Sequence, residues 1–270
     1  MKVVDSNAME WALLKQPRGG RAERKVLVGG ELSPGIDFLM YMIRYGSGDD
    51  AVASPRHHHN FEQIRYAVEK PINYAEGKEV PEGWLAFFPA GAWYGPQLVD
   101  GGIQLLMQFG PGYLGPEASL RAQEELAEKG VFKDGMYSWT DSSGERHEQE
   151  SMQALYEQAM GKPLEFPEPR YPEPVLINPN AFAWERNGGS VQHKHLATFN
   201  EQPFTIEMLR WQDSATYTLD QHRTQIVYSL GEPVSVGDEH AGAGAVVWSQ
   251  PGEALSVEGV QGSELLVCEL

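Results

Sequence analysis

The sequence predicts an all-β chain made of two related domains with a helical insert between them. Three observations carry this expectation. Runs of β-branched, aromatic and aliphatic residues alternate with glycine and proline, helical texture is confined to the middle of the chain, and the strand-rich parts repeat one another.

The runs come first. Residues 39–45, 63–68 and 84–88 read as strands, separated by Gly46, Pro71, Gly77, Pro89-Ala90-Gly91 and Gly101-Gly102. The 29 glycines and 18 prolines among 270 residues suit many short strands joined by turns, and a 41% hydrophobic content is enough to build cores. The texture changes at Gly115-Pro116. Residues 117–130 are rich in Ala, Leu, Glu and Lys and end in glycine, which reads as a helix with a stop at Gly130. A second helix is expected over 148–161, followed by a Pro-rich connector over 163–179.

The repeat places the two halves. Met42-Ile43-Arg44-Tyr45 matches Met208-Leu209-Arg210-Trp211, and Gln63-Ile64-Arg65-Tyr66 matches Gln225-Ile226-Val227-Tyr228. The segment from Gly83 to Gly91 matches that from Gly244 to Gly252. The three anchors recur in the same order at separations of 166, 162 and 161 residues, which argues for a duplicated strand-rich domain. The expected division is 1–115, an insert over 116–188, and 189–270.

Composition narrows the function classes. A net charge of −17 repels phosphate backbones and anionic lipid surfaces, so nucleic acid and membranes are poor partners. A single cysteine, Cys268, makes no internal disulfide and reads as a strand residue. No apolar run approaches the length of a membrane span, and residues 1–5 lack an apolar leader core, so the expected location is cytoplasmic. No Gly-rich phosphate loop and no G-x-S-x-G elbow is present.

The chemistry concentrates in Pro55-Arg56-His57-His58-His59-Asn60-Phe61-Glu62-Gln63. On a continuous strand, His57, His59, Gln63 and Arg65 share one face, while His58, Glu62 and Tyr66 share the other. Two imidazoles two residues apart on one face can hold a divalent first-row ion such as Fe, Mn, Ni, Cu or Zn. Arg65 points the same way, and an enclosed guanidinium requires an anion: either a bound carboxylate or an internal salt bridge.

The segment resembles the first motif of the cupins, G-x5-H-x-H-x3-4-E-x6-G, with His57 and His59 at the histidine positions and Gln63 at the glutamate. Gly83 to Tyr94 resembles the second motif, G-x5-P-x-G-x2-H, with Tyr94 at the last histidine. The likeness is good over 22–113 and weaker over 190–270. It implies two small jelly-roll-like β-barrels, a two-domain cupin, with one metal per chain held inside the first barrel by His57, His59 and Gln63. Tyr94 could ligate, donate a hydrogen bond or fill space, and Gln97 and Glu62 are reserve ligands. In the second half the histidine positions read Leu219 and Gln221, so that site is expected to be lost. His222 is out of register, and His193 and His195 lie upstream.

The resemblance implies a metal-dependent enzyme acting on a small, carboxylate-bearing molecule, with dioxygenase chemistry favoured. Arg65 would hold the anion, and Tyr94 would be the acid–base or orienting group. Isomerase or lyase chemistry is the alternative within the family, and a non-catalytic small-molecule binder or sensor is the alternative outside catalysis. The resemblance also implies a homodimer.

Overall fold

The computed structural model describes residues 1–15, 18–33, 36–110, 112–185, 189–199 and 204–270. The chain is all-β, as expected, and forms two compact units. One comprises Trp11–Ile177, the other Met1–Glu10 with Asn178–Leu270. Among the described residues no helix is long and apolar enough to cross a membrane.

The unit Trp11–Ile177 is built on a seven-stranded antiparallel sheet. Its spatial order is Val175–Ile177, Leu85–Phe88, Glu62–Glu69, Ile103–Gly110, Ile36–Tyr45, Ala22–Ser33 and Ala12–Leu13. Two small sheets complete a sandwich: Gln97–Val99 with Val52–Ser54, and Ile72–Ala75 with Lys78–Val80. The core lies between them. Ala67, Ala86 and Phe88 from the large sheet cluster with Ile72, Tyr74, Val80 and Val99 from the small ones. Period-two alternation puts Leu39, Tyr41 and Ile43 on the inner face with Leu106 and Val52.

Of the segment read as an insert over 116–188, residues up to Ile177 pack in this same unit, and those from Asn178 on belong to the other. Helices form at Pro116–Ala127 and Ser151–Met160. Between them lies a three-stranded sheet, Gly130–Lys133, Met136–Thr140 and Arg146–Glu150, which the helical texture did not foretell. Gly130 is therefore not a helix stop. It opens a strand opposite Trp139, and a Cβ there would lie 2.4 Å from the Ser138 carbonyl oxygen. Ala122, Leu126, Tyr137, Ala154 and Leu155 join the two helices and the sheet in one cluster. The Pro-rich passage is also not only a connector, because its end, Val175–Ile177, pairs with Leu85–Phe88.

The second unit carries a six-stranded sheet: Lys2–Val4, Val246–Ser249, Gln225–Ser229, Glu264–Glu269, Phe204–Trp211 and Val191–Phe199. A four-stranded sheet of Ala215–Thr218, Ser256–Gly259, Val234–Val236 and Glu239–Ala241 accompanies it. The repeat is visible in register. Gln63 lies opposite Phe88 on one side and Gln108 on the other, and Gln225 lies opposite Ser249 and Glu269.

Candidate functional site in the first unit

The histidine pair sits in the connection between Val52–Ser54 and Glu62–Glu69, so the continuous pleat expected from 57 to 65 begins only at Glu62. What orders the connection is pairing between the two motif segments. His57 N–H donates to the Tyr94 carbonyl at 2.9 Å, and Tyr94 N–H donates back at 3.0 Å. Gly91 N–H donates to the His59 carbonyl at 2.7 Å.

The two rings nevertheless converge. The His57 and His59 centroids are 5.1 Å apart, and His57 lies 4.4 Å from the Tyr94 ring. His57 Nδ1 donates to the Pro55 carbonyl at 2.7 Å, which fixes the proton there because a carbonyl only accepts. Nε2 is left as a bare acceptor, buried and without a hydrogen-bond partner among the described residues. Burial pushes both imidazoles well below their ordinary value of 6.5. The charge of Arg18 adds to this at His57, and at His59 the repulsion that a protonated His57 would exert and then the charge of Arg18 add to it. Both rings are therefore neutral, the form that binds metals.

His58 turns away, as its position predicts. Its ring is stacked between Trp93 at 3.8 Å and Phe166 at 3.5 Å. The Pro-rich passage that supplies Phe166 also explains the second-motif glycine. Gly91 has φ +81°, and a Cβ on it would lie 2.0 Å from the Pro167 carbonyl oxygen.

Gln63, Arg65 and Tyr94 form one buried network. Arg65 donates from Nε and Nη2 to Gln63 Oε1 at 3.0 and 2.8 Å, and from Nη2 to the Tyr94 hydroxyl at 3.0 Å. Gln63 Nε2 donates to the same hydroxyl at 3.1 Å. The amide orientation is dictated by Arg65, which only donates, so the oxygen must face it. The atom that would ligate a metal thus already accepts two hydrogen bonds. Arg65 is 6% exposed, lies 3.9 Å over the Phe88 ring and pairs with no carboxylate among the described residues. The reserve ligands are engaged elsewhere: Glu62 pairs with Arg170 at 3.3 Å, and Gln97 Nε2 donates to the Asn73 carbonyl at 3.1 Å.

His59, Gln63, Arg65, Gln97 and Gln104 line one part of a cavity of about 340 Å³. Its lining includes Lys15, Arg18, Arg24 and Arg65 and, among the described residues, no aspartate or glutamate. Arg24 faces inward because it pairs with inward-facing Ile43. Arg18 Nε and Nη2 are buried without hydrogen-bond partners among the described residues. The sequence reading missed Lys15, Arg18 and Arg24. Arg24 was readable from the alternation of its strand, whereas Arg18 sits outside any regular strand and left no pattern to read.

The equivalent interior of the second unit is filled. Leu219, at a histidine position, belongs to an apolar cluster with Leu209, Trp211, Val227, Val247 and Leu265. Gln221 and His222 are exposed, His193 packs against Tyr217, and His195 contacts Glu207 at 3.2 Å. A separate group, exposed Asp141 and Glu145 with half-buried His147, brings its ligand atoms within 4.8 Å of one another. It closes a hairpin: Asp141 Oδ1 accepts from Ser143 N–H, Ser143 Oγ and Glu145 N–H, and Oδ2 meets His147 Nε2 at 2.9 Å.

The whole chain superposes on solved structures that include enzymes. A candidate dioxygenase from Nostoc punctiforme matches with a TM-score of 0.65 at 12% identity, covering 100% of this chain and 82% of its own. Streptomyces albus HEPD, solved with 2-hydroxyethylphosphonate and Fe(II) bound, matches at 0.55 and 14%, covering 100% and 75%. Bacillus subtilis oxalate decarboxylase matches at 0.53 and 16%, again covering 100% and 75%. No protein-family model matches the chain, and no curated protein matches it by sequence. At these identities what is shared is the fold: the chain has the two-unit, β-rich architecture of these proteins over its full length.

Proposed function

We propose that Trp11–Ile177 is the working half of a metal-dependent enzyme, dioxygenase-like in chemistry, that takes a small carboxylate-bearing molecule. One observation carries this reading. A chain with 38 acidic and 21 basic residues lines its cavity with Lys15, Arg18, Arg24 and Arg65 and no described carboxylate. A buried guanidinium without a counter-charge costs several kcal/mol on the order of an uncompensated ion, and an incoming carboxylate removes that cost.

The donor set fits a first-row divalent ion. Two neutral imidazoles converge, and one presents a buried nitrogen without a hydrogen-bond partner among the described residues. His57 and His59 would hold the ion, which when bound would supply Lewis-acid or oxygen chemistry. Gln63 is the third donor by hydrogen-bond bookkeeping: a carboxylate that takes the Arg65 donors leaves Gln63 Oε1 free. Tyr94 orients both partners through its hydroxyl oxygen, and its own O–H remains available to donate. The Fe(II) in HEPD and the Nostoc candidate favour the oxygenase reading over isomerase or lyase chemistry.

A second reading, a metal-free anion binder, is favoured by the engagement of Gln63 Oε1 with Arg65. Metal content separates the two. Untagged protein purified without chelators should carry close to one first-row metal per chain, and the His57→Ala/His59→Ala variant should carry none. Wild-type protein free of metal at neutral pH would leave the binder as the function.

A further inference from the structure

Only part of the cavity is polar. Leu13, Leu14, Leu114, Leu120, Met152 and Leu155 also line it, and four of these come from Leu114 onward, in or beside the two helices. Leu13 and Leu120 are 62% and 40% exposed, so apolar surface is left to water at this cavity. A volume of about 340 Å³ lies within the ~300–1,000 Å³ of small-molecule sites. An acetate- or oxalate-sized anion would leave much of it empty. Ligand cavities of this kind are apolar with a few convergent polar groups that fix orientation.

We infer that the ligand is a carboxylate with an apolar body several carbons long, its charged end at Arg65 and its body against the helical segment. This rests on the anion reading above and gives the helices a role, since Leu120, Met152 and Leu155 would set the length accepted.

The test is isothermal titration of the purified full-length protein with butyrate, hexanoate, octanoate and dodecanoate. Each buried methylene is expected to tighten binding roughly three- to fourfold. Octanoate should then bind on the order of 100-fold more tightly than butyrate, with no further gain at dodecanoate. Leu120→Trp, at a half-exposed helix position, should weaken octanoate tenfold or more and leave butyrate and the unfolding temperature unchanged. Butyrate binding that is lost in Arg65→Met, together with a flat chain-length series, would overturn the apolar-body inference and leave the anion reading standing. Equal binding of octan-1-ol and octanoate, or no binding of any acid, would overturn both.

Discussion

His57 and Tyr94 face each other across a two-bond backbone bridge, with reciprocal N–H to carbonyl distances of 2.9 and 3.0 Å and ring centroids 4.4 Å apart. The first histidine of one motif and the altered last position of the other are thus one structural unit. A phenol at 94 keeps the ring packing, and its oxygen gathers Gln63 and Arg65.

Tyr94→Phe removes that acceptor while keeping the ring against Phe88 and His57. One donor each on Gln63 and Arg65 loses its partner in a buried setting. The expected loss is about 1–3 kcal/mol, read by urea unfolding. An unchanged midpoint would show that water replaces the hydroxyl at no cost.

Arg65→Met should separate binding from stability. It removes a buried charge that has no carboxylate partner among the described residues but strands the Gln63 oxygen. The two effects oppose, so the stability change should stay within about 1 kcal/mol. Octanoate affinity should fall roughly 10- to 100-fold, the worth of charge-assisted hydrogen bonds. Titration calorimetry and denaturant melts on the same preparation check both halves.

The depressed imidazoles give a pH signature. Both folded-state values lie well below 6.5, and burial is the leading cause. The unfolded chain therefore binds more protons as pH falls below 6.5, and stability present above 6.5 is lost on acidification toward the folded values. Each ring contributes at most about 1.4 kcal/mol of loss per pH unit below 6.5, read as a fall in the denaturant midpoint between pH 7.5 and 5.5. It should be measured on chelator-treated protein, and His57→Asn/His59→Asn should lose correspondingly less over the same interval.

Gly91→Ala tests the strap formed by the Pro-rich passage. The substitution combines a positive φ with a 2.0 Å approach to the Pro167 carbonyl oxygen, so one of the two segments must shift. A loss of about 2–4 kcal/mol is expected. The altered stacking of His58 between Trp93 and Phe166 should appear as a change in tryptophan fluorescence.

The fold was readable because duplication writes itself twice: the Gln63 and Gln225 anchors recur at matching register. The convergence of His57 and His59 was readable from spacing, although the connection holding them is bridged to Tyr94 instead of being pleated. Arg18 was not, because its position follows from the route of an irregular segment. The sheet Gly130–Lys133 to Arg146–Glu150 was obscured by helical composition on both sides. The commitment of the Gln63 oxygen to Arg65 depends on side-chain rotamers, which no linear pattern carries.

The contrast between an acidic chain and a basic cavity bears on the kinetics of capture. At long range an anion meets a net charge of −17 and is repelled; within the cavity it meets cations. Added salt shortens the reach of the outer field to about 8 Å at 0.15 M while leaving enclosed contacts largely intact. Raising ionic strength should therefore accelerate arrival, the reverse of what electrostatic steering toward a uniformly attractive surface produces.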